Sequence, residues 1–398
     1  MKVPISGERW RDRRDRALAV LHEKRHFLFS AYPDADALGT MLALALYLRL
    51  LDKKATLFLP SPVKNHLQFM KEIIQYNDIA IIEDEAGLVA IQNEVDAVVF
   101  CDTANVRLVA SFSIFQQYFL DRKVSTIEID HHFGNDSAAI TEFGIHLFRP
   151  ANASTEIAAE LLQGMHQLNP DLPEPFEQRN IVVSLLMGLL TDTFGGRAVP
   201  LSEDYDYWNR LLSRKLKEGT PEKAEGLAKA GDSLLFRSPQ EILDHLNQLS
   251  AEQELCIEEL KTRIVRHEEG IGELNLLDSS LKQLSQGTGK GGNGDFFQLW
   301  NAMANVVPQA GGQVGLFYFN GKNAEGRDCI VFKIRRAFSF DRYDLRDTEA
   351  ALQKAFGEHY LGGGGHAGAV SFRIHPMSDD EFLSRVAGFV ANLKTQIQ

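Results

Sequence analysis

Between residue 26 and about residue 195, short apolar runs alternate with longer segments of helical spacing. The runs are HFLFSA (26–31), ATLFL (55–59), AVVFC (97–101) and STIEID (125–130), and stretches such as GTMLALALYLRLLDKK and KNHLQFMKEIIQ lie between them. A strand with no polar alternation is one buried on both faces. Such strands separated by helices predict an α/β fold with a parallel sheet covered on both sides.

The texture changes after residue 236. SPQEILDHLNQLSAEQELCIEELKTRIVRHEEG is charged and helix-prone, and reads as a helical connector. Beyond it QVGLFYFN (313–320), CIVFKIRR (329–336) and AVSFRI (369–374) read as strands, with a helical segment around 347–359. The expected organisation is a parallel-sheet domain over 1–235, a helical linker over 236–274 and a smaller α/β domain over 275–398. SQGTGKGGNGD (285–295) cannot be laid on the phosphate-loop pattern G-x-x-x-x-G-K-[ST], so a surface loop is its default reading.

The chain has 398 residues, enough for two domains, and is 44% hydrophobic. MLALALYLRLL (41–51) and IVVSLLMGLL (181–190) fall short of the roughly 20 apolar residues of a membrane span, and read as buried helices. The N-terminus shows no apolar stretch with a small-residue cleavage site. Cys101, Cys256 and Cys329 have no paired spacing, so neither a zinc knuckle nor a disulfide framework is expected. These features together suggest a cytoplasmic protein without membrane association. A net charge of −12 argues against a surface that tracks a long duplex. The early arginines (Arg9, Arg11, Arg13, Arg14, Arg16) are diluted by Glu8, Asp12 and Asp15, as on a solvated helix with internal ion pairs.

Acidic residues gather where strands end. Asp34 and Asp36 follow the first run, Asp102 closes VDAVVFCD, Asp130 precedes His131 and His132, and Asp192 ends an apolar helix in GLLTDTFGG. One aspartate after a strand is ordinarily a helix cap or a turn former. The whole set is harder to assign that way, because ligands bind at the carboxyl ends of parallel strands. Asp34, Asp36, Asp102 and Asp192 bring four negative charges and His131 adds an imidazole. Two divalent cations would balance them, and oxygen-rich ligands with one imidazole suit manganese or magnesium. Such ion pairs clamp the attacking and leaving oxygens of phosphoryl displacement.

PDADALGT, CDTANVR, EIDHH and LLTDTFGG occur in the order of the four motifs of the DHH phosphoesterases, which this chain resembles. YLGGGGHAGAVSFRI is similar to the glycine-histidine signature of the DHH-associated domain. The match runs from about residue 26 to 375. The resemblance implies that Asp34 binds a first metal, Asp36 a second, and that Asp102 bridges both while His131 and Asp192 complete the second site. It implies His132 as general acid or transition-state stabiliser, with Asp130 orienting a histidine. In the small domain Gly364, Gly365 and His366 would meet a substrate phosphate, and Arg335 and Arg336 resemble the basic strand of that domain. KIRR also suits an exposed strand kept soluble by charge. Ser154 and Thr155 in ASTEIAAELL read as helix caps, with phosphate contact a further possibility. One departure stands out: Ser30 occupies the position, four before the first aspartate, where the family commonly has a metal-binding histidine. His26, four residues further back, is too distant to replace it.

The resemblance implies a phosphoesterase using two divalent cations, Mn2+ foremost with Mg2+ or Co2+ as alternatives. Its substrates would be short phosphorylated nucleotides such as oligoribonucleotides, 3′-phosphoadenosine 5′-phosphate or dinucleotides, held between the two domains. Exopolyphosphatase or pyrophosphatase activity is the enzymatic alternative. A nucleotide-binding sensor without turnover is the alternative of another class, and Ser30 is its one argument. Relatives of this kind are often homodimers.

Overall fold

The computed structural model describes residues 9–397 apart from 33, 62, 64, 133–136, 198, 220–235, 249–250, 269, 278–293 and 323–326. The chain forms two compact α/β units, the first running to Leu246 and the second from Asn247 onward. The stretch 236–274 is shared between them. Its helix Pro239–Leu246 buries Ile242 and Leu246 in the first core, and its helix Ala251–Thr262 buries Cys256, Ile257 and Leu260 in the second.

In the first unit the order is α1 (Trp10–Glu23), β1 (His26–Ser30), α2 (Ala35–Leu50), β2 (Lys54–Phe58), α3 (Gln68–Tyr76), β3 (Ala80–Ile82) and α4 (Glu85–Ile91). There follow β4 (Ala97–Cys101), α5 (Phe112–Phe115), β5 (Ser125–Asp130), β6 (Ile145–Phe148), α6 (Ser154–Leu168), α7 (Arg179–Asp192) and α8 (Ser202–Glu218). The strands pair in the order β3-β2-β1-β4-β5-β6, all parallel. Along β1, Phe27 and Phe29 enter one core and Leu28 the other, as expected of a strand covered twice. The chain winds outward from β1 to β3, then returns to place β4 on the other side of β1. That reversal opens a crevice beyond the carboxyl ends of β1 and β4.

Residues 35–48 of α2 are buried without exception, because the helix lies among the sheet, α6 and α7. A helix that is apolar all round belongs in such a place. Among the described residues no helix is long and apolar enough to cross a membrane. The three cysteines are buried and free. On α1, Arg11 and Arg14 pair with Asp15, but Arg13 turns inward and donates to the His146 carbonyl at 2.9 Å.

The second unit holds β7 (Val265–His267), β8 (Ile271–Leu276), β9 (Val314–Lys322), β10 (Asp328–Arg336), β11 (Tyr360–His366) and β12 (Ala369–Ile374), in the order β11-β12-β10-β9-β8-β7. Helices Thr348–Phe356 and Asp379–Ile397 cover one face, through Phe356, Phe382 and Phe389; helices Ala251–Thr262 and Gly294–Gly311 cover the other. Residues 285–293 of the glycine-rich loop lie outside the described residues, and Gly294 opens a helix. The run GGGG is a strand, where taken alone it reads as a turn. A Cβ on Gly363 would stand 2.2 Å from the Ser371 carbonyl oxygen and one on Gly365 2.2 Å from that of Ala369, so this close pairing needs glycine.

Gly39 lets α2 meet α7, since a Cβ there would lie 2.4 Å from the Ser184 carbonyl oxygen. Gly39→Ala is expected to destabilise the protein by about 1–3 kcal/mol. Gly388→Ala, at an exposed position of a helix with nothing within 4 Å, is expected to leave stability unchanged or raise it. Thermal denaturation of both variants checks this, and equal melting temperatures would refute the tight α2–α7 crossing.

Candidate metal centre

Asp102 follows β4 at the crevice with φ of +49°, a conformation uncommon for a residue bearing a Cβ. Its N–H donates to the Ile129 carbonyl at 2.7 Å, tying the turn to β5. The side chain is thereby aimed across the carboxyl end of the sheet, and its Oδ1 accepts from Ser154 Oγ at 2.8 Å.

The two neighbouring aspartates of PDAD serve different helices. Asp34 is the N-cap of α2, accepting from the Ala37 N–H at 3.0 Å. Asp36, in the first turn and only 1% exposed, reaches across to α6 instead. Its Oδ2 accepts from the Ser154 N–H at 2.6 Å and its Oδ1 from the Thr155 N–H at 3.0 Å. The start of α6 carries no cap from its own N-cap residue, Ala153, and Asp36 fills that role from another element. Ser154 and Thr155 do begin the helix, but their side chains are not its caps. Gly188 of α7 makes room, because a Cβ there would be 2.4 Å from Asp36 Oδ1.

His131 and His132 follow β5 and are held differently. His131 Nδ1 lies 3.2 Å from the Ala151 carbonyl oxygen, which can only accept, so Nδ1 carries hydrogen. In the neutral ring Nε2 then offers its lone pair. That atom is buried without a hydrogen-bond partner, yet stands 3.2 Å from Asp192 Oδ2, 3.5 Å from Asp102 Oδ1 and 3.7 Å from Asp36 Oδ2. His132 Nδ1 instead donates to Asp130 Oδ1 at 2.8 Å, so Asp130 orients this ring. The two rings are 4.6 Å apart.

Burial, followed by the charges of Asp102 and Asp192, pushes the Asp36 carboxyl well above the usual range. Burial also raises Asp102, against the pull of His132 and His131. For His131, burial opposes the charged ring, but Asp192, Asp102 and Asp36 outweigh it and hold the imidazole well above its ordinary value. His132 is raised to about 9, burial again being overcome by Asp130 and Asp102. The cluster thus gathers more negative charge than its surroundings neutralise, and protons make up the difference. Asp192 adds to this by sitting at the C-terminus of α7, the negative end of that helix.

Two donor sets emerge: Asp36 with His131 and Asp192, and Asp102 with His131 and His132. In each, the ligand atoms lie within 4.8 Å of one another. Carboxylate oxygens with imidazole nitrogen suit divalent cations, and a buried Nε2 facing three carboxylates without a hydrogen-bond partner is the atom such a cation would satisfy. Asp34 stands beside this cluster in sequence but belongs to neither set. Ser30 ends β1 and is buried. His26, at the opposite end of β1, is 2.9 Å from Thr56 Oγ1, away from the acids.

Gly364, Gly365, His366, Arg335 and Arg336 all belong to the second unit. Gly364, Gly365 and His366 lie on β11, an edge strand. Arg335 Nη1 donates to Asn305 Oδ1 at 3.2 Å, while Arg336 Nη1 donates to the Asp341 and Tyr343 carbonyls at 2.9 Å each. The double service of Ser154, to Asp36 through its N–H and to Asp102 through its hydroxyl, is not visible in the sequence. The signal present was only a serine at a helix start.

Neither a protein-family model nor a curated protein matches the chain. Its fold matches solved structures over nearly its whole length. An exopolyphosphatase-related protein from Bacteroides fragilis superposes with a TM-score of 0.66 at 16% identity, covering 97% of this chain and 98% of that one. The DHH domain of a member of the s1p family of ribosomal proteins gives 0.54 at 11% identity, covering 97% and 91%. RecJ from Thermus thermophilus, in complex with Mn2+, gives 0.50 at 13% identity and covers 98% of this chain, which spans 55% of RecJ. At these identities the likeness is one of fold, shared along nearly the whole of this chain.

Proposed function

We propose that this protein is a divalent-cation-dependent phosphoesterase of the DHH type that hydrolyses short phosphorylated nucleotides. The observation that carries the proposal is the buried His131 Nε2, oriented by Ala151 and ringed by Asp36, Asp102 and Asp192. Asp34, Asp36, Asp102, His131 and Asp192 are the assigned ligands of two cations, with Mn2+ the first choice. Divalent cations supply Lewis acidity toward a phosphoryl oxygen and acidify water. The chain's own residues supply the rest. Ser154 and the N-terminus of α6 fix the Asp36 and Asp102 carboxylates. Ala151 fixes the His131 ring. His132, held at Nδ1 by Asp130, is the acid that protonates the leaving oxygen. Gly364, Gly365, His366, Arg335 and Arg336 are assigned to the substrate phosphate. A net charge of −12 favours short substrates over a long strand. The fold shared with an exopolyphosphatase-related protein keeps polyphosphate and pyrophosphate as the second reading.

The deciding experiment is a panel with Mn2+ present: a dinucleotide, a five-residue RNA, 3′-phosphoadenosine 5′-phosphate, a cyclic dinucleotide, pyrophosphate and polyphosphate. Turnover of a nucleotide, abolished in Asp102→Asn and reduced about 10²–10⁴-fold in His132→Gln, is expected. Turnover of the inorganic substrates alone would favour the second reading. Silence of a folded, metal-loaded protein across the panel would leave a binding protein.

Ser154→Ala is expected to weaken Mn2+ binding about 10–100-fold in calorimetric titration, as loss of an orienting partner does elsewhere. Because burial holds Asp36 and Asp102 protonated to higher pH, the cation displaces protons and wild-type affinity should rise with pH. Unchanged affinity in the variant would remove Ser154 from the metal centre.

A further inference from the structure

The second unit contains a cavity that shares no residue with the metal centre. It has a volume of about 450 Å³ and is lined by Lys261, Ile264, Arg266, Asn305, Val306, Gln309, Ala310 and Phe338. Helix Gly294–Gly311 forms one wall. Its Met303, Ala304 and Val307 are buried against the sheet, while Asn305, Val306, Gln309 and Ala310 form the adjacent stripe at i, i+1, i+4 and i+5. The helix cannot shift to fill the space. A Cβ on Gly311 would lie 2.1 Å from the Gly272 N, and one on Gly315 2.3 Å from the Pro308 N, so helix and sheet already touch backbone to backbone.

The lining has two chemical halves. Ile264, Val306, Ala310 and the Phe338 ring are apolar. Lys261 and Arg266 are cationic and exposed, and among the described residues Arg266 has no ion-pair partner. Lys261 is paired with Glu258, at a helix surface where such pairs are weak. Arg335 donates to Asn305 Oδ1 at 3.2 Å, so the acceptor end of this lining amide is engaged and its nitrogen is the donor end. Among the described residues no acidic side chain lines the cavity. An aromatic wall, an amide donor and two cations in a preformed space of this size match a flat heteroaromatic group carrying phosphate.

We propose that this cavity binds a nucleoside monophosphate, with the base against Phe338 and Val306 and the phosphate at Arg266 and Lys261. The site is independent of the metal centre, so the phosphoesterase reading stands or falls without it.

Titration calorimetry on the full-length protein, with EDTA present, would compare AMP with inorganic phosphate as probes. AMP is expected to bind more tightly than phosphate. Phe338→Ala should weaken AMP about tenfold or more while leaving phosphate unchanged, as loss of base stacking predicts. Arg266→Glu should weaken both probes, and Arg266→Lys should restore part of the affinity. Asp102→Asn should bind AMP as wild type does. Phosphate binding as tight as AMP, or AMP affinity indifferent to both Phe338→Ala and Arg266→Glu, would overturn the assignment. So would loss of AMP binding in Asp102→Asn. Because Arg266 is exposed, its variants test the site without disturbing a core.

Discussion

The first unit depends on how one buried carboxylate is satisfied. Asp36 is almost wholly removed from water and raised in pKa, and an isolated charge there would be strongly disfavoured. It is tolerated because the start of α6 brings two free N–H groups to it from a distant part of the chain. The need is mutual, since Ala153, the N-cap residue of α6, supplies no side-chain cap. Three helices are set by this contact: α2 carries the acid, α6 supplies the donors, and α7 closes over them where Gly188 leaves room. The same helix start, through Ser154 Oγ, also holds Asp102. One helix terminus therefore aligns carboxylates from both sides of the strand reversal, and each keeps lone pairs for a further partner.

Two histidines next to each other in sequence have been made chemically different by what holds Nδ1. A carbonyl holds that of His131, so Nε2 is the nitrogen that faces three acids, and their charge raises the pKa of this ring as well. A carboxylate holds that of His132, which favours the charged ring and raises its pKa to about 9. The first arrangement suits coordination and the second suits proton donation. Asp130 is thus an orienting group by its geometry.

What the sequence revealed follows the range of the interactions involved. HFLFSA and AVVFC are legible as strands because burial on both faces leaves an apolar run, whereas STIEID alternates and buries its Glu128 against the Ile140 and Thr141 N–H groups. The edge strands β3 and β6 have only three and four residues, too few to show a pattern. The strand Tyr360–His366 is hidden because its glycines are there for backbone approach, which resembles turn composition. The gathering of Asp36, Asp102, His131 and Asp192 was suggested by their positions at strand and helix ends. That Asp36 caps α6 was not, because the partners are 118 and 119 residues apart and no local spacing encodes them. The cap at Asp34 and the small cluster of basic side chains around Asn305 lie at the two extremes. The first is a local signal common to many helices, and the second comes from separate segments whose meeting only the fold reveals.

The distribution of charge separates two kinds of chemistry along the chain. The crevice of the first unit concentrates carboxylates and places Asp192 at the unfavourable end of its helix, so it repels phosphate unless cations intervene. The second unit has a cavity lined by cations and, among the described residues, by no acid. On the readings proposed above, a phosphorylated ligand is met there by the protein's own side chains, and in the first unit with the help of bound metal. Recognition of an anion and chemistry upon it therefore make opposite demands on local charge. On those same readings, two compact units carry these demands, so that each is met without weakening the other.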